Sequence, residues 1–342
     1  MIDQKKLIGF LQKAHTLEDL AKEFGVSVAV AKRNLKRVVD NHELFSLYDS
    51  DGSLFYRYCA MPEKLEIKPR VWQCVLSQDE RIPYQVINFP DNDWERITII
   101  PLYDVQWGSD GHDEKKFDEY IRFIEKTENA FAFGGGDTLQ NALINSPGGS
   151  IYDQKMRPRL QVPTLIQKLA PIAHKMLWAL TGNHEARSEK VADFNPLYFV
   201  CRELGIPYFD QPAYTDINWH GHTFRFFSQH GTSGAGTPGG RVNAAMKPVI
   251  FTEFTHFYTM GHVNDVFANP NIRVCRERIY EEKHGKKTLK EIRLVEKPQY
   301  IVIAPSFETY HGTYAARAAM TPFATGDVSC RLNADGSYEV TE

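Results

Sequence analysis

The sequence predicts an α/β protein, and three observations carry that expectation. Beyond Trp94, short apolar runs with strand character alternate with helical patterns. Those runs stop repeatedly at glycine beside Asp, Asn or His. The first 60 residues carry a different, helix-rich pattern that closes on a hairpin signal. With 342 residues the chain has room for two or three domains of about 150 residues. Hydrophobic residues at 42% and charged residues at 24% are ordinary globular usage, which excludes a disordered or fibrous chain.

Composition narrows the setting further. The longest apolar stretches, Ile97 to Tyr103 and Tyr300 to Ala304, are too short to cross a bilayer. Asp3, Lys5 and Lys6 precede an amphipathic run rather than a signal peptide. Cys59, Cys74, Cys201, Cys275 and Cys330 are odd in number, widely spaced and free of CxxC pairs, so neither a disulfide framework nor a cysteine-rich zinc site is expected. The expectation is a soluble, cytoplasmic protein with reduced thiols and no membrane partner. A net charge of −3 excludes a wholly basic nucleic-acid coat but not a local basic patch.

Residues 1–60 read as a small unit of their own. Leu7, Phe10 and Leu11 mark a first helix within Lys5 to Lys13. Thr16 followed by Asp19 forms an N-cap arrangement for a second, which Gly25 ends, and Ser27 caps a third running to about Asn41. Phe45 to Tyr48 and Leu54 to Tyr58 flank the turn sequence Asp49-Ser50-Asp51-Gly52. Three helices and a hairpin look like a winged helix-turn-helix domain. Lys32, Arg33, Lys36 and Arg37 share one face of the third helix. They either meet DNA phosphates in a major groove or form a solvated face, and such modules also dock proteins or second copies. Nine Lys and Arg against eight Asp and Glu leave this unit at only +1. Residues 61–94, with four prolines, read as a linker carrying one or two strands that pack onto the next domain.

In the remainder, 95–342, five apolar strands each deposit a donor residue at the carboxyl end. Ile97 to Tyr103 ends in Asp104-Val105-Gln106, and Phe131 to Phe133 in Gly134 to Asp137. Met176 to Leu180 ends in Gly182-Asn183-His184-Glu185, Phe224 to Ser228 in Gln229-His230-Gly231, and Phe257 to Met260 in Gly261-His262-Val263-Asn264. Helical patterns cover Phe117 to Ile124 and about Leu160 to Lys175. Ligands bind at this edge of open α/β sheets, where side chains from successive strands converge. Asp, Asn and His are also donors that divalent metals take.

These five elements resemble, in order, the pattern of the calcineurin-like metallophosphoesterase superfamily, of the type found in phage and bacterial genomes. The resemblance covers roughly residues 95–330, and its Gly-Asn-His-Glu block is the most specific part. It implies a four-layer α/β/β/α sandwich with two divalent metal ions between sheet edges, Mn²⁺ first and Mg²⁺, Fe²⁺ or Zn²⁺ as alternatives. It makes Asp137 the bridging carboxylate, assigns Asn183, His230 and His262 to one metal, and assigns Asp104, Gln106 and Asn264 to the other. It places His184 against the phosphoryl oxygens or the leaving group. Gln106 and Asn264 depart from the family, which has histidine at both, so the second site is weak, empty or oxygen-rich. Asp265 is a substitute carboxylate only if the register allows it.

The implied activity is that of a metal-dependent phosphodiesterase or nuclease acting on DNA through a metal-activated hydroxide. A nucleotide phosphohydrolase or phosphatase is the alternative within the enzyme class, and a catalytically decayed DNA-binding or scaffold protein the alternative outside it. Gly231 to Arg241, with five glycines, either wraps a phosphate or is a surface loop. Tyr310, His311 and Arg317 either close over a substrate or belong to an ordinary helix, and Tyr152, Gln154, Arg157 and Arg159 sit in a loop within reach of the same cleft. His174, His220, His222 and His256 read as structural. Val274 to Glu282 and Leu289 to Val295 read as a charged hairpin without evident chemistry.

Overall fold

The structure, a computed structural model, describes all residues except 1, 12–14, 40–43, 49–53, 59–64, 80, 145, 147–150, 152–153, 233, 236, 284–285, 312–315, 317–326 and 342. It is an α/β fold with two large mixed sheets. Three short helices come first: α1 (Gln4–Phe10), α2 (Leu17–Glu23) and α3 (Val28–Val39). Asp3 caps α1, and Thr16 and Asp19 close a reciprocal capping box at α2 with bonds of 3.1 and 3.0 Å. Gly25 turns the chain with φ +59°. Leu7, Leu11, Leu20, Ala31 and Leu35 close a small core of their own. β1 (Leu44–Tyr48) and β2 (Leu54–Tyr58) then pair antiparallel, Tyr48 opposite Leu54. The expected turn between them, and the end of the third helix beyond Val39, lie outside the described residues.

The stretch read as a linker supplies β3 (Gln73–Leu76) and β4 (Tyr84–Asn88), and both join the seven-stranded sheet. β5 (Arg96–Leu102), α4 (Glu114–Lys126), β6 (Ala130–Gly134), α5 (Pro158–Leu169) and β7 (Met176–Leu180) follow. The helical stretch expected to Lys175 tightens into a 3₁₀ segment from Ala170. Next come α6 (Glu185–Ala192), α7 (Pro196–Leu204), β8 (Tyr208–Phe209), β9 (Ala213–Trp219), β10 (His222–Gln229), α8 (Pro238–Met246) and β11 (Phe257–Met260). β12 (Phe267–Lys283) and β13 (Lys286–Ile303) form one long antiparallel ribbon, and β14 (Ser329–Asn333) and β15 (Tyr338–Thr341) close the chain. The strand expected at Tyr300 is therefore the end of a much longer one.

The six-stranded sheet runs β15-β14-β5-β6-β7-β8 and the seven-stranded sheet β12-β13-β11-β10-β9-β4-β3. Alternation along each strand sorts side chains to two faces. From β5, Ile97 and Ile99 face one core while Ile100 and Leu102 face another. The first core lies between the sheets, where Phe133 stacks on Trp178 at 4.3 Å and Phe226 on Phe257 at 4.5 Å. The second packs the outer face of the six-stranded sheet on α4, α5 and α7, and the third packs the outer face of the seven-stranded sheet on α8. Because β5, β6 and β7 run parallel, as do β10, β11 and β13, their carboxyl ends collect at one edge of each sheet. No helix among the described residues is long and apolar enough to cross a membrane.

One of the histidines read as structural reports on stability. His256 Nδ1 accepts the Arg225 N–H at 2.9 Å, so charging the ring would place a proton against a donor. Burial, with Arg225 and Lys297 nearby, pushes its pKa down to about 3 from 6.5. The stability this gives is complete above pH 6.5 and is lost as pH falls toward 3, at up to about 1.4 kcal/mol per pH unit. In urea unfolding at a series of pH values, His256→Gln is expected to flatten that fall between about pH 6 and pH 4. An unchanged slope would count against this assignment.

Candidate metal centre at the strand ends

Each donor residue sits one to four positions beyond a strand, and most of them occupy backbone that ordinary residues avoid. Among the described residues eight non-glycine positions have positive φ, and six of them line this edge: Asp104 (48°), Gln106 (47°), Asp137 (50°), Asn141 (42°), His262 (67°) and Asn264 (50°). Such left-handed turns cost about 1–3 kcal/mol each and persist only where the surroundings hold them. The neighbouring glycines are needed for close approach. A Cβ at Gly182 would lie 2.1 Å from Asp137 N and Oδ1, and one at Gly261 would lie 2.6 Å from Asp104 Oδ2.

Glu185 holds two of these turns together. Its buried carboxylate accepts the N–H groups of Gly182 (2.9 Å), Asp137 (3.1 Å) and Leu139 (2.9 Å). The ends of β6 and β7 are thus locked by one side chain. Across the sheets, His262 N–H donates to Asp104 Oδ2 at 2.7 Å, and the Tyr103 hydroxyl meets Thr259 Oγ1 at 2.9 Å. These bonds bring the two sheet edges into register.

Asp137 lies at the centre. Its Oδ1 accepts the His184 N–H at 2.8 Å, and its Oδ2 lies 3.2 Å from His230 Nε2 and 3.5 Å from His184 Nε2. His230 Nε2 is also 2.9 Å from Asn183 Oδ1, while its Nδ1 meets Gly135 O at 3.1 Å. Asp137, His230 and His262 each offer a ligand atom, and these atoms all lie within 4.8 Å of one another. The donor set suits a divalent cation. Asn264 Oδ1 is buried with no hydrogen-bond partner among the described residues.

Charge reinforces this picture. Burial pushes Asp104 up to about 7, against the pull of His230, and pushes Glu185 up to about 7 with Asp137 adding to it. Asp137 stays below the usual carboxylate range because His184 and His230 outweigh its burial. His230 is raised to about 9, its burial outweighed by Asp137. Burial lowers His184 to about 4 and lowers His262 as well.

Two nearby side chains carry no sequence motif. Glu308, in the segment after β13, is pushed up to about 7 by burial and accepts the Ser109 hydroxyl. Arg187, in the first turn of α6, donates to Gln140 O at 3.1 Å and feels Asp137, Glu185 and Glu308. The periodicity of α6 would have pointed to Arg187, which follows the Gly-Asn-His-Glu block by two positions; nothing local marks Glu308.

The other expected residues are placed as follows. Arg241 stands in the first turn of α8, buried, with its guanidinium 3.0 Å from Asp265 Oδ2. Asp265 is thereby engaged by an arginine. Tyr310 is half-buried and His311 exposed just past Glu308, and their rings pack together at 5.3 Å. Arg317 and Tyr152 lie outside the described residues. Lys32 and Arg33 are exposed on α3; the side chains of Lys36 and Arg37 are outside the described ones.

Compared with known proteins, the sequence matches no family model and no curated protein.

The Glu185 carboxylate offers only acceptors to three N–H donors, and Glu185→Gln puts a donor among them. This substitution is expected to cost about 1–3 kcal/mol in urea unfolding. A variant as stable as the parent would show that Glu185 does not hold the two turns.

Proposed function

We propose that this chain is a metal-dependent phosphoesterase of the calcineurin-like type, acting as a phosphodiesterase on DNA. The observation that carries the reading is the meeting of Asp137, His230 and His262 from three strand ends within 4.8 Å. Helices on one sheet, two facing sheets and α8 on the other are consistent with a four-layer α/β/β/α sandwich. The three N-terminal helices with their hairpin support a winged-helix reading.

The residues present fit a pair of divalent cations. Asp137, Asn183, His230 and His262 would hold one; Asp104, Gln106 and Asn264, with Asp137 shared, would hold the other. When bound, such a pair makes water nucleophilic at neutral pH and neutralises charge on the phosphoryl group. The chain's own side chains do the rest. His184 stands beside Asp137, where its ring would contact a phosphoryl oxygen or the leaving alkoxide. Arg187 brings a fixed positive charge to the same acidic cluster, where it would meet a phosphoryl oxygen. Glu185 keeps the turns carrying Asp137 and His184 in place.

Turnover of a chromogenic phosphodiester and of DNA with added Mn²⁺ tests the reading. His184→Ala is expected to lower kcat by about a hundredfold or more, and Asp137→Asn to remove metal-dependent turnover. Unchanged rates in both variants would remove this mechanism. Absence of turnover with any divalent metal would favour the decayed scaffold, which the amides Gln106 and Asn264 support.

The N-terminal unit would guide the enzyme to a polymeric substrate. Replacing Lys32, Arg33, Lys36 and Arg37 by Ala is expected to weaken DNA binding and flatten its dependence on salt. Equal affinity of parent and variant across a salt series would exclude α3 as the contact.

A further inference from the structure

Gln106 replaces an imidazole in the resemblance, and a carboxylate from far along the chain comes to meet it. Past β13 the backbone folds over the tip of β5. The Phe307 N–H donates to the Asp104 carbonyl at 3.1 Å, and Ser306 Oγ donates to the same oxygen at 3.2 Å. This strap brings Glu308 against Gln106. The Gln106 amide, oriented by its neighbours, donates its nitrogen to Glu308 Oε1 at 2.9 Å, Glu308 Oε2 at 3.1 Å and Gln140 Oε1 at 3.1 Å.

An ionised carboxylate accepts only, whereas a carboxamide has one donor end and one acceptor end. In its ionised form, which a neighbouring cation would favour, Glu308 therefore settles which end of Gln106 it holds. With the nitrogen committed to three acceptor atoms, the carbonyl oxygen is the only atom the side chain has left to offer a cation. Asn264, two positions beyond His262, likewise keeps an acceptor, since its Oδ1 is buried without a donor among the described residues.

We propose, building on the metal-dependent reading above, that Glu308 is a positioning residue that turns Gln106 into an oxygen ligand of a second divalent cation. Its role parallels that of carboxylates that fix metal-bound histidines by taking their free N–H. The consequence is a division of labour between the two positions. Imidazoles serve the one at His230 and His262. Oxygen donors alone, from Asp104, Asp137, Gln106 and Asn264, serve the other, which selects a hard cation such as Mn²⁺ or Mg²⁺ over Zn²⁺.

The test counts ions and does not depend on turnover. The metal-free full-length chain is titrated with Mn²⁺ alone, bound ions are counted by equilibrium dialysis, and electron paramagnetic resonance reports whether two ions are magnetically coupled. The parent is expected to bind two ions per chain with a coupled signal. Glu308→Gln permits the amide of Gln106 to invert, and it is expected to keep the first ion, lose the coupling and weaken the second ion by about tenfold or more. Adding Gln106→His to that variant is expected to restore the second ion, since an imidazole needs no carboxylate to choose between oxygen and nitrogen. Undiminished binding of two ions by Glu308→Gln overturns the inference and leaves the metal reading intact. So does a second ion that Gln106→His fails to restore, which would make Glu308 merely a fastening for the strap. A parent that binds a single ion also overturns it, and a parent that binds none removes the metal reading itself.

Discussion

Negative charge gathered away from water is the constraint on which the arrangement rests. Asp104, Asp137, Glu185 and Glu308 come from four separate parts of the chain, and burial acts on all of them. An isolated buried carboxylate is strongly disfavoured, so each must be answered by hydrogen bonds, protons or cations. Glu185 is answered by three backbone N–H groups and thereby becomes a structural tie. Asp137 has His230, His184 and a backbone N–H, while Asp104 has the His262 N–H. What these partners leave uncompensated, a divalent cation would neutralise.

The fold supplies the rigidity such a cluster demands. Six left-handed side-chain-bearing residues at one edge are tolerable only on stiff supports. The aromatic core between the sheets provides them, through Phe133, Trp178, Phe226 and Phe257. Parallel pairing then sends every relevant strand toward the same edge, and the Tyr103–Thr259 bond pins one sheet to the other just beneath it. Core packing and site geometry are consequently one problem.

Much of this was legible from residue order. Ile97, Phe131, Met176, Phe224 and Phe257 open or lie in apolar runs that are strands, and the donors fall within four positions after them, beside glycine in all but the first. The capping pair Thr16 and Asp19 announced α2 correctly for the same local reason. Long-range pairing was less visible. β3 and β4 are short and partly exposed, so nothing in their composition revealed that they extend the seven-stranded sheet. The ribbon β12–β13 outruns its apolar core, and its charged residues concealed its length. Gly231 to Arg241 read as either a phosphate wrap or a surface loop, and its glycines hid that its end, from Pro238, winds into α8 with the Arg241 guanidinium against Asp265. Glu308 was invisible, since a lone glutamate gains meaning only when the strap after β13 delivers it to Gln106.

The most direct measurement is anomalous scattering from crystals of the full chain soaked in Mn²⁺. A peak bounded by Asp137, His230 and His262 is the expected result. Maps without a peak there, from crystals that take up the ion elsewhere, would contradict the account of this edge as a cation site.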